Sequence, residues 1–135
     1  MGIKDVAESL LQAEKLKKPI PPLTSSAEII SADDAYQIQL YQVQKKVEQG
    51  AKIKGLKIGL TSKAMQEMLN VYIPDYGVIL DSMIFDGNTV DISNFIQAKV
   101  EFEIAFVFKK ELIGPNITVE DVIDATDYII PAIEI

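Results

Sequence analysis

Lys99-Val100-Glu101-Phe102-Glu103-Ile104-Ala105-Phe106-Val107-Phe108 is the stretch on which the fold turns. It reads as a β-strand. Side chains alternate across a strand, so Val100, Phe102, Ile104, Phe106 and Phe108 share one face. Lys99, Glu101, Glu103, Ala105 and Val107 share the other. A solvated face stays polar along its length, whereas this one turns apolar after Glu103. Both faces are therefore expected to be covered. Neighbouring carboxylates in a covered sheet repel each other and are costly to desolvate. They require a proton, a basic partner or a metal ion. Glu134, in Pro131-Ala132-Ile133-Glu134-Ile135, has a similar setting.

Outward from this strand the chain alternates between helical and extended patterns. Ile3, Val6, Leu10 and Ala13 recur at helical spacing, widened by Leu11 and Leu16, and the pattern stops at Lys17-Lys18-Pro19. Residues 19–26 read as an extended connector, with Pro21-Pro22 blocking helix. Ser31 is placed to cap a second helix with Asp34 at the capping-box position, and Gly50 to end it. Its apolar stripe is expected on Tyr36, Leu40, Val43 and Val47. Ile53-Lys54-Gly55-Leu56-Lys57-Ile58-Gly59-Leu60 predicts a strand whose glycines mark a bend or a close approach. Thr61 or Ser62 caps a short helix running through Met68. Pro74-Asp75-Tyr76-Gly77 predicts a turn, residues 78–85 a strand, and Asp86-Gly87-Asn88 a hairpin turn leading toward the Glu101 strand. After Gly114-Pro115-Asn116, Thr118 caps another helix with Asp121 as its partner, and residues 128–135 form a last strand. The fold class is α+β: N-terminal helices followed by a mixed, folded-over β-sheet, in a single domain over residues 1–135. The apolar final strand predicts that this domain is part of something longer.

Composition narrows the chemistry. The chain has 135 residues, 48% of them apolar, enough for one globular domain with a core. Its net charge of −7 argues against nucleic acid and anionic membrane as partners. It contains no Cys and no His. Thiolate chemistry, imidazole metal ligands and Ser-His-Asp catalysis are thereby excluded within the chain. Carboxylates, lysines, tyrosines and hydroxyls remain, and any metal would be a hard ion held by oxygen. The lack of cysteine fits a reducing cytoplasm. The N-terminal apolar positions are interrupted by Lys4, Asp5, Glu8, Glu14 and Lys15, which is not a signal-peptide pattern.

Each candidate residue also has a plain structural reading. A Glu-x-Glu pair on a strand is usually a solvated edge, and Lys99 on the same face could neutralise one carboxylate as an ion pair. Lys57, between apolar residues, is by pattern alone a snorkelling lysine; the alternative is a desolvated ammonium facing an anionic substrate. Asp75 after Pro74 is commonplace in a turn, and only further support makes it a catalytic base.

Resemblance supplies that support. Gly55-Leu56-Lys57-Ile58-Gly59-Leu60-Thr61-Ser62, Pro74-Asp75-Tyr76-Gly77, residues 99–107 and residues 125–134 resemble, in order and spacing, segments of the 2-hydroxypenta-2,4-dienoate and 2-oxohept-4-ene-1,7-dioate hydratases. These belong to the fumarylacetoacetate hydrolase superfamily. The likeness runs over most of the chain and covers the N-terminal half of such an enzyme. Ala98 departs from it, since the family usually has Pro there. The resemblance implies a β-roll fold and three carboxylates, Glu101, Glu103 and Glu134, holding Mg²⁺ or Mn²⁺. It implies Lys57 as the active-site lysine and Asp75 as the proton-transfer residue. The implied reaction is hydration of a 2-hydroxy-2,4-dienoate to a 4-hydroxy-2-oxo acid in aromatic catabolism. The substrate is a small molecule and the enzyme a cytoplasmic homo-oligomer, with association with a related decarboxylase as a further implied partnership. The rivals are 2-oxo-3-hexenedioate (4-oxalocrotonate) decarboxylase, which shares fold and metal site, and a truncated inactive fragment. An acylpyruvase-like hydrolase is disfavoured by the absence of His. Asp75 favours the hydratase, because the related decarboxylases carry an apolar residue at that place.

Overall fold

The computed structural model describes residues 2–26 and 31–135. They fall into two compact units, Met1–Ile96 and Gln97–Ile135.

The first unit opens with helix α1, Ile3–Leu16. The Gly2 N–H donates to the Asp5 carboxylate at 3.1 Å, placing a negative charge at the positive end of the helix dipole. Lys17 closes the helix in the left-handed conformation, and Pro19 prevents its resumption. The expected connector contains one 3₁₀ turn, Leu23–Ser26. Helix α2, Ala32–Glu48, is capped by Ser31, whose hydroxyl accepts the Asp34 N–H at 3.1 Å. Gly50, at φ 106°, ends it. Val6, Ala7 and Ile38 form the buried seam between the helices, edged by Ile3, Leu10, Leu23 and Tyr41. The Tyr41 hydroxyl donates to Glu8 at 2.7 Å, and Lys46 pairs with Glu14 at 2.7 Å across the same seam. The expected α2 stripe is therefore corrected. Ile38 is the buried residue, while Leu40 is 52% and Val47 42% exposed. Apolar residues lie on several sides of α2, so periodicity alone does not say which side meets α1.

Strands β1, Ile53–Gly59, and β2, Asp75–Leu80, form an antiparallel ribbon with an irregularity between Ile53 and Gly55. Between them lies α3, Lys63–Leu69, capped by the Ser62 hydroxyl. The turn expected at Pro74-Asp75-Tyr76-Gly77 is not formed: Asp75, Tyr76 and Gly77 pair with Gly59, Ile58 and Lys57. Cross-strand pairing overrides their turn propensity. Strand β2 also stops before residue 85. The Asp81 carboxylate accepts the N–H groups of Lys52 and Ser82, both at 3.0 Å, and the chain turns into a 3₁₀ segment, Asp81–Met83. The Lys52 bond, followed by that from Ser82, holds the Asp81 carboxyl below its ordinary range. Asp86-Gly87-Asn88 is no hairpin, since β2 pairs with β1 only.

The second unit contains β3, Glu101–Phe108, helix α4, Val119–Ala125, and β4, Thr126–Glu134. Strands β3 and β4 pair antiparallel from Glu101↔Glu134 to Phe108↔Thr126. Thr118 and Asp121 cap α4 reciprocally: the Asp121 N–H reaches the Thr118 hydroxyl, and the Thr118 N–H reaches the Asp121 carboxylate at 2.8 Å. The α+β class holds, with both ribbons antiparallel; no mixed sheet forms among the described residues. The expectation that both faces of β3 are covered is corrected as well. Phe102 is 88% exposed, and Ile104, Phe106, Ile129 and Ile133 are exposed with it. The Glu103, Ala105 and Val107 face is the half-buried one. Within this unit no second layer covers the aromatic face.

Candidate metal centre

Register, not sequence proximity, builds the acidic cluster. Directly paired residues of antiparallel strands share a face. Glu101 pairs with Glu134, and Glu103, two residues along β3, points to the same side. Each of these residues contributes one carboxylate oxygen to a group lying within 4.8 Å of one another. Glu101 is exposed, while Glu103 and Glu134 are half-buried, and Oε2 of Glu134 is shut off from solvent. All three therefore stand on one face of the β3–β4 ribbon. Ala132 lies opposite Glu103.

Lys57 and Asp75 come together in the other unit by the same mechanism. Lys57 lies opposite Gly77, and Asp75 lies opposite Gly59. Lys57 and Asp75 are thus diagonal neighbours on one face of the β1–β2 ribbon, within reach of long side chains. Each of them faces a residue with no side chain. Lys57 is half-buried and Asp75 exposed. The start of β2 is tied to α2: the Tyr76 ring stacks on Tyr36 at 4.4 Å between centroids, and the Tyr76 carbonyl accepts the Gln39 amide at 3.2 Å. Tyr36 is expected on the α2 stripe and Tyr76 and Gly77 in a turn, so their contacts here, with that of Gln39, are decided by the tertiary fold. The glycines of β1 predict a close approach, which forms at Gly59 and not at Gly55.

Chemically, an all-oxygen trio suits a hard divalent cation. An ammonium beside a carboxylate suits a substrate that is anionic and exchanges protons.

Known proteins with this sequence pattern are enzymes. The chain is 46% identical over 131 residues to a 2-oxo-hept-4-ene-1,7-dioate hydratase of Escherichia coli, covering 96% of this chain and 49% of that protein. It is 42% identical over 135 residues to a 2-hydroxypent-2,4-dienoate hydratase of Pseudomonas putida, covering 98% of this chain and 61% of the relative. The chain is homologous to about half of a 2-hydroxydienoate hydratase. A 4-oxalocrotonate decarboxylase of Pseudomonas putida is also related, at 41% identity over 131 residues, 96% of this chain and 50% of its own length. No protein-family model matches. Among solved structures, 4-oxalocrotonate decarboxylase from Pseudomonas putida G7 superimposes with a TM-score of 0.89 when complexed with calcium and acetate. The magnesium and adipate complex gives 0.86. Both are 38% identical and cover 98% of this chain and 51% of the decarboxylase. No helix among the described residues is long and apolar enough to cross a membrane.

Proposed function

We propose that this chain carries the metal-binding and proton-transfer residues of a hydratase that adds water to a 2-hydroxy-2,4-dienoate, giving a 4-hydroxy-2-oxo acid in aromatic catabolism. The observation that carries the proposal is the convergence of Glu101, Glu103 and Glu134 within 4.8 Å in a chain related to such hydratases. The donor set is all carboxylate, which fits Mg²⁺ or Mn²⁺ and would largely neutralise the ion's charge. When bound, such an ion supplies Lewis-acid stabilisation of negative charge on substrate oxygens. Glu101, Glu103 and Glu134 would hold and orient it. Lys57 offers a positive charge to the oxygen on which enolate character develops. Asp75 relays a proton or activates the attacking water.

The same reading extends to the molecule. Both units form one domain of a longer fumarylacetoacetate hydrolase-like β-roll, and the enzyme works in the cytoplasm as a homo-oligomer able to associate with a related decarboxylase. The exposed edges and apolar face of the β3–β4 ribbon support association. A 4-oxalocrotonate decarboxylase activity is the second reading, favoured by the related decarboxylase structures at TM-scores of 0.89 and 0.86. The identities of 46% and 42% to two hydratases, against 41% to the decarboxylase, together with the presence of Asp75, favour hydration.

The test has two arms. Calorimetric titration of the chain with Mn²⁺ and Mg²⁺ reads the metal site without turnover, and absence of binding would refute it. Loss of dienoate absorbance, dependent on the metal and abolished by chelation, reads hydration. Release of CO₂ from a 2-oxo-3-hexenedioate substrate would instead support the decarboxylase.

A further inference from the structure

We propose that Gly59 is a positioning residue for Asp75: its bare Cα is the seat over which the Asp75 carboxylate lies. The inference rests on the reading of Asp75 as the proton-transfer group.

A Cβ built on Gly59 would overlap Oδ1 of Asp75 and lie 3.3 Å from its Cγ and 3.7 Å from its Oδ2. Those three nearest atoms all belong to one carboxylate. The other glycines of the ribbon differ. At Gly55 nothing lies within 4 Å, and at Gly77 an added Cβ would meet only the Gln39 amide nitrogen, at an ordinary 3.9 Å. Backbone conformation does not explain the glycine, because Gly50 is the one described glycine with positive φ. What a side chain at position 59 would meet is the carboxylate opposite.

The second half of the argument concerns which partner would yield. Asp75 is followed by Tyr76, whose ring stacks on Tyr36 and whose carbonyl is held by Gln39. The strand backbone is thereby fastened to α2. The Asp75 side chain is exposed, so another staggered rotamer is open to it. A methyl group at position 59 therefore displaces the carboxylate and leaves the strand in place. Stability changes little, while the carboxylate leaves its position beside Lys57. Misplacing a reacting group by roughly 1 Å costs about a hundredfold in rate.

The experiment compares the chain with its Gly59→Ala, Gly77→Ala and Gly59→Ala/Asp75→Ala variants by NMR, using the three-bond couplings that report the Asp75 side-chain rotamer. The expected result is a changed rotamer in Gly59→Ala, with a melting temperature within about 2 °C of the parent. Gly77→Ala should leave the rotamer as it was. An unchanged rotamer in Gly59→Ala, or an equal change in Gly77→Ala, overturns the proposal. Should Gly59→Ala fail to fold, removal of the carboxylate in the double variant must restore folding; failure to do so also overturns it. In the hydration assay the same substitution should lower kcat about a hundredfold, with KM within about twofold. A moved rotamer with unchanged kcat would leave Gly59 as the seat of the carboxylate. It would count instead against Asp75 as the proton-transfer residue.

Discussion

Glu103 shows how much a single residue depends on its setting. On sequence it is the second carboxylate of a Glu-x-Glu strand pattern; in the β3–β4 ribbon it shares its face with Glu101 and the cross-strand Glu134. Glu103→Ala is expected to keep the fold, because the residue is half-buried and its loss relieves repulsion among carboxylates. It should also weaken Mn²⁺ or Mg²⁺ binding at least as much as the ~10–100-fold typical of losing an outer partner of a metal site. Isothermal titration checks this, and unchanged affinity would remove Glu103 from the ligand set. Lys57→Ala and Asp75→Asn should behave in the opposite way. The proposed metal ligands all stand on the β3–β4 ribbon, so metal affinity should stay within about twofold. Turnover should fall by about 10²–10⁴, the range of general acid–base catalysis. Parallel calorimetry and chromophore assays separate the two classes. Legibility differed among these residues. Glu101 and Glu103 were visible as one strand face, whereas Asp75 drew its assignment from resemblance alone, because its turn-like neighbours hide the strand it starts.

At the scale of elements, the caps were the most readable features. Ser31, Ser62 and Thr118 each accept the backbone N–H three residues on. Capping is local in the chain, so spacing suffices to find it. The α4 cap also carries a pH dependence. The Asp121 carboxyl is held below its ordinary range, chiefly by the Thr118 backbone N–H and then by the Thr118 hydroxyl. A lowered folded-state value means that the ionised cap stabilises the native state above the unfolded-state value of about 3.9. That contribution fades as pH falls through the lower folded-state value. Asp121→Ala should therefore lower the melting temperature by a few degrees at pH 7, and the difference should narrow as pH falls from 7 through the lowered folded-state value. Circular dichroism melts across that range test it, and a constant difference would show that the carboxylate charge plays no part. Strand boundaries were less legible. Residues 78–85 look uniformly extended, yet β2 ends at Leu80, because Asp81 turns the backbone onto Lys52.

For the whole molecule, the exposed face of Phe102, Ile104, Phe106, Ile129 and Ile133 governs behaviour in solution. A contiguous apolar face with open strand edges promotes association. The purified chain should scatter light as a species larger than its 14.9 kDa mass and should bind an apolar dye. Phe102→Glu together with Ile133→Lys places an opposite-charge pair on that face, since the two residues are directly paired. The double variant should shift toward monomer without losing divalent-metal affinity, because the carboxylates point the other way. A monodisperse parent would overturn the expectation.

The sequence by itself determined the α+β class, the helix ends and the alternation that sets Glu101 and Glu103 on one face. It also excluded His and Cys chemistry. All of these follow from local rules: capping spacing, side-chain period and composition. Only the tertiary structure decided that Ile38 and not Leu40 meets α1, that Asp75 stands across from Gly59, and that Glu134 pairs with Glu101. These are contacts between residues far apart in the chain. Strand register creates them, and a shift of one residue would turn each side chain to the opposite face.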